Sequence, residues 1–258
     1  MVFYKTNEEI ELLRESNLLV SKTLTEIASM MKPGINTLAI DKRAEEFIRD
    51  HGAEPGFKGY NGYPNTLCIS VNDQVVHGIP SDYELKEGDI VSVDCGTKKN
   101  GFYGDSAYTF MIGEVNADIR KLLKVTRECL YLGIEKAVTG NRVGDISYAI
   151  QTHAEANGYS VVRELVGHGV GRQLHEKPEV PNYGRKGVGM KLNRGLVIAI
   201  EPMINMGKKE IKQARDGWTI STADKMPSAH FEHTVAIGDQ KADILSTFDC
   251  IDKEIIKK

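Results

Sequence analysis

The chain has 258 residues and a formal net charge of −3, which together exclude several classes of protein. A nearly neutral chain without a long Lys/Arg block is not typical of nucleic-acid binders, whose affinity comes from neutralising phosphates. Hydrophobic residues make up 41% and charged residues 27%, as in soluble globular domains. No apolar run is long enough to span a bilayer, and the charged N-terminal stretch does not resemble a signal peptide. We therefore expect neither a nucleic acid nor a membrane as a partner.

The first predicted elements are amphipathic helices. Thr6 and Glu9 form a capping-box pattern, and apolar residues at helical spacing extend the first helix to Met30. A second helix follows Gly34 and ends at Gly52, because glycine is typical of helix C-termini. A third helix, over about residues 116–138, joins the two halves of the chain described below.

A β-hairpin is predicted between the second and third helices, around Asn100 and Gly101. Asn-Gly is the strongest short sequence signal for a two-residue type I′ turn. With that turn, Lys99 faces Phe102, and the numbers of facing residues add up to 201 (99 + 102).

Two aspartates flank this turn. The strand that begins near Ile90 is expected to end at Asp94, and the returning strand is expected to start near Asp105. In the predicted register Asp94 lies opposite Ala107 and Asp105 opposite Gly96, so the carboxylates are diagonal neighbours with Cβ atoms about 7–8 Å apart or less. Gly96 leaves room beside them. Two such charges need compensation, for which a metal ion is the natural candidate, although an aspartate beside a turn is more often simply solvated.

Cysteine usage indicates the compartment. Cys68, Cys95, Cys129 and Cys250 are scattered and form no CxxC pair. This spacing favours free thiols in a reducing compartment, and we expect a cytoplasmic protein. Cys95 is expected on the opposite face of its strand from Asp94, as a small core residue.

The chain repeats its own pattern. Gly34 and Gly52 are matched by Gly140 and Gly158, in both cases 106 residues later (140−34 and 158−52). HGIP is echoed by HEKP, and LKEGDIVSVD by LNRGLVIAIE, in the same order. We interpret this as an internal duplication in which each half has helices, a strand, an H-x-x-P loop and a hairpin. The prediction is one α+β domain over residues 1–258, with halves of about 1–115 and 116–258 and with helices on one side of the sheet.

Three further residues extend the candidate metal site. Glu201 ends an apolar strand at the position that matches Asp94, and Glu232 begins another strand. His168 lies between glycines in a segment that cannot be a regular helix. With Asp94 and Asp105, these residues are too oxygen-rich for a structural zinc site. They suit a pair of Mn, Fe(II), Co or Zn ions that activates water for hydrolysis.

Together these motifs resemble one known family. HGIP, DCGTKKNGFYGDSA, GHGVGRQLHEKP, AIEPMI and FEHTVAI follow one another as in the type I methionine aminopeptidases, and the resemblance covers essentially the whole chain. It implies the pita-bread fold, in which two pseudo-symmetric halves form a curved antiparallel sheet covered by helices. It also implies that two divalent metal ions are bound by Asp94, Asp105, His168, Glu201 and Glu232.

The resemblance implies removal of the initiator methionine from nascent polypeptides. In the family, a metal-activated water attacks the first peptide bond. By that analogy Glu201 is a candidate general base, His175 would stabilise the tetrahedral intermediate, and His77 would contact the substrate and assist the leaving amine. A small second residue is expected, because the nucleophile and both histidines crowd that position. We expect a monomer that contacts N-termini of new polypeptides and, transiently, the ribosome.

The side chain of the substrate methionine is expected in an aromatic pocket, whose soft walls fit a thioether. By resemblance, the pocket is lined by Phe57, Tyr60, Tyr63, Cys68 and Trp218. Aromatic residues in a glycine-rich loop can equally be ordinary core residues. Phe57 stands where some bacterial members have Cys, and Leu174 where some have Phe, so the rim of the pocket differs from theirs.

Two alternatives stay open on the sequence. Prolidases and aminopeptidase P would use the same five ligands, but they normally carry a further N-terminal domain, and only a short helix precedes the catalytic region here. A non-catalytic binding protein of the same fold would be expected to lack metal ligands, and all five are present. The compact bacterial form of methionine aminopeptidase is therefore the favoured interpretation.

Overall fold

A computed structural model describes residues 2–256, in which helices cover antiparallel sheets. The helices are α1 (Asn7–Ala28), α2 (Thr37–Asp50), α3 (Ala117–Lys136), α4 (Val143–Ala156) and α5 (Asp249–Ile256). The strands are β1 (Glu54–Pro55), β2 (Leu67–Val71), β3 (Gln74–Val76), β4 (Ile90–Lys99), β5 (Phe102–Met111), β6 (Ser160–Val161), β7 (Gly167–Gly169), β8 (Glu176–Val180), β9 (Val197–Ile200), β10 (Met203–Asn205), β11 (Ile211–Gln213), β12 (Ile220–Thr222), β13 (Ser228–His230), β14 (His233–Ala236) and β15 (Asp243–Ile244). This confirms the predicted mixture of helices and antiparallel strands.

The helices begin where their capping residues predict. Thr6 Oγ1 accepts a hydrogen bond from Glu9 N at 3.2 Å, and the Glu9 carboxylate accepts one from Thr6 N at 3.1 Å, which confirms the capping box. Asn116 caps α3 in the same way, since its Oδ1 accepts from Ile119 N at 2.8 Å. The predicted third helix is thereby confirmed at its start. None of the described helices has the length and apolar character needed to cross a membrane.

The register of the β4–β5 hairpin is confirmed. Lys99 pairs with Phe102, and the two residues between them have φ values of 51° and 81°, as a type I′ turn requires. The expected strand ends are wrong: the returning strand starts at Phe102 rather than near Asp105, and the first strand does not end at Asp94. That strand continues to Lys99 because the backbone of residues 97 and 98 also pairs with β1, and Asp94 therefore lies in mid-strand.

The sequence predicts a loop at the second H-x-x-P segment, but most of this segment forms a strand. Glu176–Val180 forms β8 at the end of a five-stranded sheet, where it pairs with β7. Its buried residues alternate with exposed ones, which is the pattern of a strand with one covered face. His175 therefore directly precedes β8, and the pairing of β8 with β7 holds the backbone on the C-terminal side of His175.

The same backbone connection occurs at two places in the chain. Leu85 accepts a hydrogen bond from Gly34 N and donates its own N–H to Ile35 O, both at 2.8 Å. Leu192 accepts from Gly140 N at 3.0 Å and donates to the carbonyl of residue 141 at 2.8 Å. These are the positions that the sequence repeat aligns. The division into halves at about residue 115 stays a prediction.

Strands β5 and β14 connect the two larger sheets. One has four strands, in which β4 pairs with β1, β2 and β5, and the other has five, in the order β15-β14-β9-β7-β8. Ser106 Oγ donates to the carbonyl of Glu232 at 2.6 Å, and Glu232 N donates to Ala107 O at 3.0 Å. Thr234 Oγ1 donates to the carbonyl of Asp105 at 2.8 Å. These hydrogen bonds bring the side chain of Asp105, on β5, close to that of Glu232, which lies between β13 and β14. Helix α1 packs across β4 and β5, and α3 packs on α4, so both larger sheets are covered.

Candidate active site

All the residues that the sequence analysis assigned to a site line one cavity of about 350 Å³. Those residues are Phe57, Tyr60, Tyr63, Cys68, His77, Asp94, Asp105, His168, His175, Glu201, Trp218 and Glu232. Cys68, Asp94, Asp105 and His168 lie on β2, β4, β5 and β7, and the other residues lie in the segments that follow β1, β3, β7, β9, β11 and β13. Cys95, in contrast, is fully buried in the main core, as predicted. All four cysteines are free thiols.

The five candidate ligands lie close together at the base of this cavity. Nε2 of His168 is 3.6 Å from Oδ2 of Asp105 and 3.6 Å from Oε1 of Glu201. One ligand atom each of Asp105, His168 and Glu232 lies within 4.8 Å of the other two. The hairpin places Asp94 beside Asp105, and the two carboxyl groups share a hydrogen bond.

Burial and mutual repulsion strongly disfavour the charged forms of these acids. Burial raises the pKa of Asp94 to about 7, against the hydrogen bonds it accepts from Asp105 and the Cys95 N–H. Burial, followed by repulsion from neighbouring carboxylates, raises the pKa of Asp105, Glu201 and Glu232 well above the ordinary range. Without a cation, the cluster therefore holds most of its protons at neutral pH.

The donor set fits divalent metal ions. Oδ1 of Asp94, Oδ1 of Asp105 and Oε1 of Glu232 are buried and have no hydrogen-bond partner among the described residues. Such oxygens are costly unless something positive contacts them. No lysine or arginine within residues 2–256 lines the cavity, so the protein supplies no compensating cation. A group of four carboxylates with one imidazole is typical of sites for Mn, Fe, Co or Zn.

Two histidines stand above the cluster. His175 is exposed at the mouth of the cavity, its Nδ1 lies 2.8 Å from the Tyr60 hydroxyl, and its ring meets the edge of His168 with centroids 4.2 Å apart. His77 follows β3 with a φ of 58°, a left-handed conformation that non-glycine residues adopt rarely. Burial, followed by the charge of His175, lowers the pKa of His77 to about 4; burial also lowers the pKa of His175. Both rings are therefore neutral near pH 7.

An apolar compartment adjoins the candidate ligands. Phe57, Tyr63, Cys68 and Leu174 are buried together, with Tyr60 and Trp218 packed against them. The Tyr63 and Trp218 rings meet edge to face with centroids 5.1 Å apart. Burial, followed by the charge of Asp94, raises the pKa of the Cys68 thiol, which is therefore neutral. The compartment can accept a side chain of intermediate length without offering it a charge.

Sequence reasoning missed several residues near the site. Glu164, Leu165 and Met203 also line the cavity. Nε2 of His230 is buried without a hydrogen-bond partner and lies 3.8 Å from Oε2 of Glu201. Burial lowers the pKa of His230 to about 3, so its ring is neutral. The only available signal was its position two residues before Glu232, which puts it near the same cavity.

Comparison with known proteins identifies close relatives. The profile of metallopeptidase family M24 matches residues 11–239. A methionine aminopeptidase from Clostridium perfringens is 52% identical over 246 residues, which cover 95% of this chain and 99% of the relative.

Solved structures agree with this similarity. The crystal structure of methionine aminopeptidase from Rickettsia prowazekii superposes with a TM-score of 0.94 at 39% identity, over 96% of this chain and 100% of that one. The prolidase from Pyrococcus furiosus has a TM-score of 0.76 at 24% identity, and this chain covers 65% of it. At that level of identity the prolidase shares the fold alone.

Proposed function

The chain belongs to metallopeptidase family M24, and on that premise we propose that it is a methionine aminopeptidase, which removes an N-terminal methionine from polypeptides. The observation that most strongly supports this function is that two chemically different parts line the same cavity. One part is an uncompensated cluster of four carboxylates and an imidazole, and the other is an apolar aromatic compartment with a neutral thiol. The Xaa-Pro peptidases, the main alternative, are related at the level of fold.

We propose that Asp94, Asp105, His168, Glu201 and Glu232 bind two divalent metal ions. Four carboxylates carry a formal charge of −4, which two such ions would balance. Bound there, the ions would supply a water of lowered pKa and polarise the carbonyl of the scissile bond. The physiological metal is selected by availability, because this ligand set accepts several.

The chain's own side chains handle the protons and orient the substrate. We assign the role of proton acceptor to Glu201, and the position of its carboxylate beside both His168 and the open cavity supports this assignment. His175 and His77 are neutral, so each has one ring N–H to donate. We assign the His175 donor to the carbonyl oxygen of the scissile bond, where negative charge develops, and the His77 donor to the substrate on the leaving-amine side.

The compartment lined by Phe57, Tyr60, Tyr63, Cys68 and Trp218 is assigned to the methionine side chain. An unbranched thioether fills an irregular apolar space well and contacts aromatic edges favourably. The second residue of the substrate then lies between His77 and His175, so we expect a small residue there. N-termini of newly made polypeptides in the cytoplasm are the proposed substrates, and transient contact with the ribosome and a monomeric state belong to the same proposal.

A single assay tests this function. Metal-stripped protein is supplied with Mn, Co, Fe(II) or Zn, and free methionine is measured from Met-Ala-Ser, with Ala-Pro-Ala as the control for prolidase-type activity. We expect metal-dependent release of methionine from Met-Ala-Ser and no cleavage of Ala-Pro-Ala. Met-Arg-Ser and Met-Trp-Ser should be cleaved far more slowly than Met-Ala-Ser. Cleavage of Ala-Pro-Ala alone, or no activity of folded protein with any metal, would contradict the proposal.

A further inference from the structure

A fully buried ion pair lies one residue from His175. Nζ of Lys5 is 2.5 Å from Oε2 of Glu176, and the side chains are only 4% and 2% exposed. In every other Lys or Arg ion pair within residues 2–256, both side chains are at least 23% exposed. The Lys5–Glu176 pair is thus set apart from the surface pairs of this molecule.

Stability alone does not account for such a pair. Taking two charges out of water costs more than a surface pair does, and apolar residues of the same volume often stabilise a protein equally well or better. What a buried pair supplies is a fixed geometry, because each charge must keep its partner. The contacts of the pair therefore indicate which part of the molecule it fixes.

The pair ties the N-terminal arm to the turn that carries His175. Lys5 Nζ also donates to the carbonyl of Phe3 at 3.0 Å, and Lys5 N donates to Gly195 O at 2.6 Å, so the lysine is anchored to the turn before β9. On the other side, a Cβ on Gly171 would lie only 2.2 Å from Oε1 of Glu176. The turn over residues 171–175 is consequently packed directly on this carboxylate.

His175 needs such support because its own side chain is exposed. Leu174 before it and Glu176 after it are buried, so the backbone of His175 is held between two fixed neighbours. Among residues 2–256, the Tyr60 hydroxyl is the only hydrogen-bond partner of the ring. The orientation of the ring therefore depends on where the turn is held.

We propose that Lys5 and Glu176 are positioning residues that hold His175 in its working orientation. The inference rests on the proposed function, because it concerns the reaction assigned to His175. It predicts that the pair acts on catalysis through His175 and not through the general stability of the fold. A misplaced hydrogen-bond donor loses its contact with the transition state while substrate binding changes little.

A double-mutant cycle between Lys5 and His175 tests this. Lys5→Met keeps the length of the side chain and removes the charge, and Glu176→Gln keeps the volume and one acceptor oxygen, should Lys5→Met fail to fold. kcat and KM for Met-Ala-Ser are measured at saturating Mn, well below each variant's Tm. Arg127→Met is the matched control, because it breaks the partly buried Arg127–Asp252 pair outside the cavity.

We expect Lys5→Met, or Glu176→Gln in its place, to lower kcat about tenfold or more with KM changed less than about threefold. In a His175→Ala background the same substitution should lower kcat less than about twofold, because the ring to be positioned is gone. Arg127→Met should lower Tm and leave kcat unchanged.

Several results would overturn the proposal. A loss of Tm with unchanged kcat would make the pair purely structural. An equal fall in kcat with and without His175, or a fall that tenfold more Mn reverses, would place its effect elsewhere, for example on His168, whose neighbour Gly169 pairs with Glu176. If the wild-type protein released no methionine, the proposed function would fail instead, which the cycle distinguishes.

Discussion

His175 differs from the other histidines around the cavity in its exposure and in its partners. His168 is buried among carboxylates and His230 is buried beside Glu201, whereas His175 stands at the mouth and contacts the Tyr60 hydroxyl. A neutral ring in that place can donate one hydrogen bond to a substrate oxygen. It has no carboxylate of its own to satisfy. A role in the transition state follows from this position more directly than a role in metal binding.

Replacing His175 with alanine should therefore lower kcat about 10²–10³-fold, the usual loss for one donor to a developing oxyanion. KM for Met-Ala-Ser should change much less, because the bond is made mainly in the transition state. Steady-state kinetics at saturating Mn measures both constants. His153→Ala is the control, since His153 pairs with Glu128 on the α3–α4 surface, away from the cavity. An unchanged kcat in His175→Ala would remove this residue from the mechanism.

The β4–β5 hairpin connects the cluster of candidate metal ligands with the apolar compartment. Its register puts Gly96 opposite Asp105, and the space beside Gly96 is taken by Phe57, since a Cβ there would lie 2.4 Å from Phe57 Cε1. The space that the sequence predicts beside the carboxylates is therefore filled by an aromatic ring. One strand thus supports the candidate ligands and, through a glycine, the aromatic compartment.

Gly96→Ala should displace the Phe57 ring and raise KM for Met-Ala-Ser about tenfold, as expected from the loss of one well-packed aromatic contact. Gly101→Ala in the same hairpin is the control. Its φ of 81° makes alanine unfavourable by about 1 kcal/mol, but a Cβ there meets nothing closer than 3.9 Å. Gly101→Ala should lower Tm and leave KM unchanged. Equal KM values for Gly96→Ala and the wild type would show that Phe57 does not shape the methionine compartment.

Local sequence patterns were sufficient to predict helix starts and the hairpin turn. Features that depend on pairing between distant segments could not be predicted. The cap at Thr6 and the turn at Asn100 depend on neighbours within a few residues, so the sequence was sufficient for them. The continuation of β4 past Asp94 depends on β1, and the strand after His175 depends on β7, which no local pattern reveals. The same holds for Lys5 and Glu176, which are 171 residues apart. Motif resemblance, rather than periodicity, supplied the full list of candidate site residues.

The cavity concentrates acidic side chains in a nearly neutral protein. In metal-free protein, the folded-state pKa of Asp94 is about 7, against about 3.9 in the unfolded chain. Because the folded state binds the proton more tightly, this group's contribution to stability is present below pH 4 and is lost as pH rises through 7. The buried histidines act in the opposite sense, since the pKa of His168 and of His230 is about 3, but unfolded histidine titrates near pH 6.5, so most of this gain is complete by about pH 7.5.

Metal-stripped protein should therefore lose Tm between pH 6.5 and pH 8, by about 3 °C or more. Free thiols do not interfere in this window, because unfolded cysteine titrates near pH ~8.5. Differential scanning calorimetry with a chelator present measures the change. Asp94→Asn is the control and should show a smaller loss. A Tm that rises between pH 6.5 and pH 8 in the stripped protein would mean that the acids are not held protonated in the folded state.

Metal binding by Asp94, Asp105, His168, Glu201 and Glu232 is the proposal on which the assigned reaction depends. Calorimetric titration of metal-stripped protein with Mn at pH 7.5 tests it most directly, with Glu232→Gln and Glu128→Gln titrated alongside. Glu128 lies on the α3 surface and pairs with His153, outside the cavity. We predict that the wild-type and Glu128→Gln proteins bind up to two Mn ions per chain. Glu232→Gln should bind fewer ions or bind them more weakly. No binding to the folded wild-type protein, or the same binding in all three, would show that these five side chains do not form the metal site.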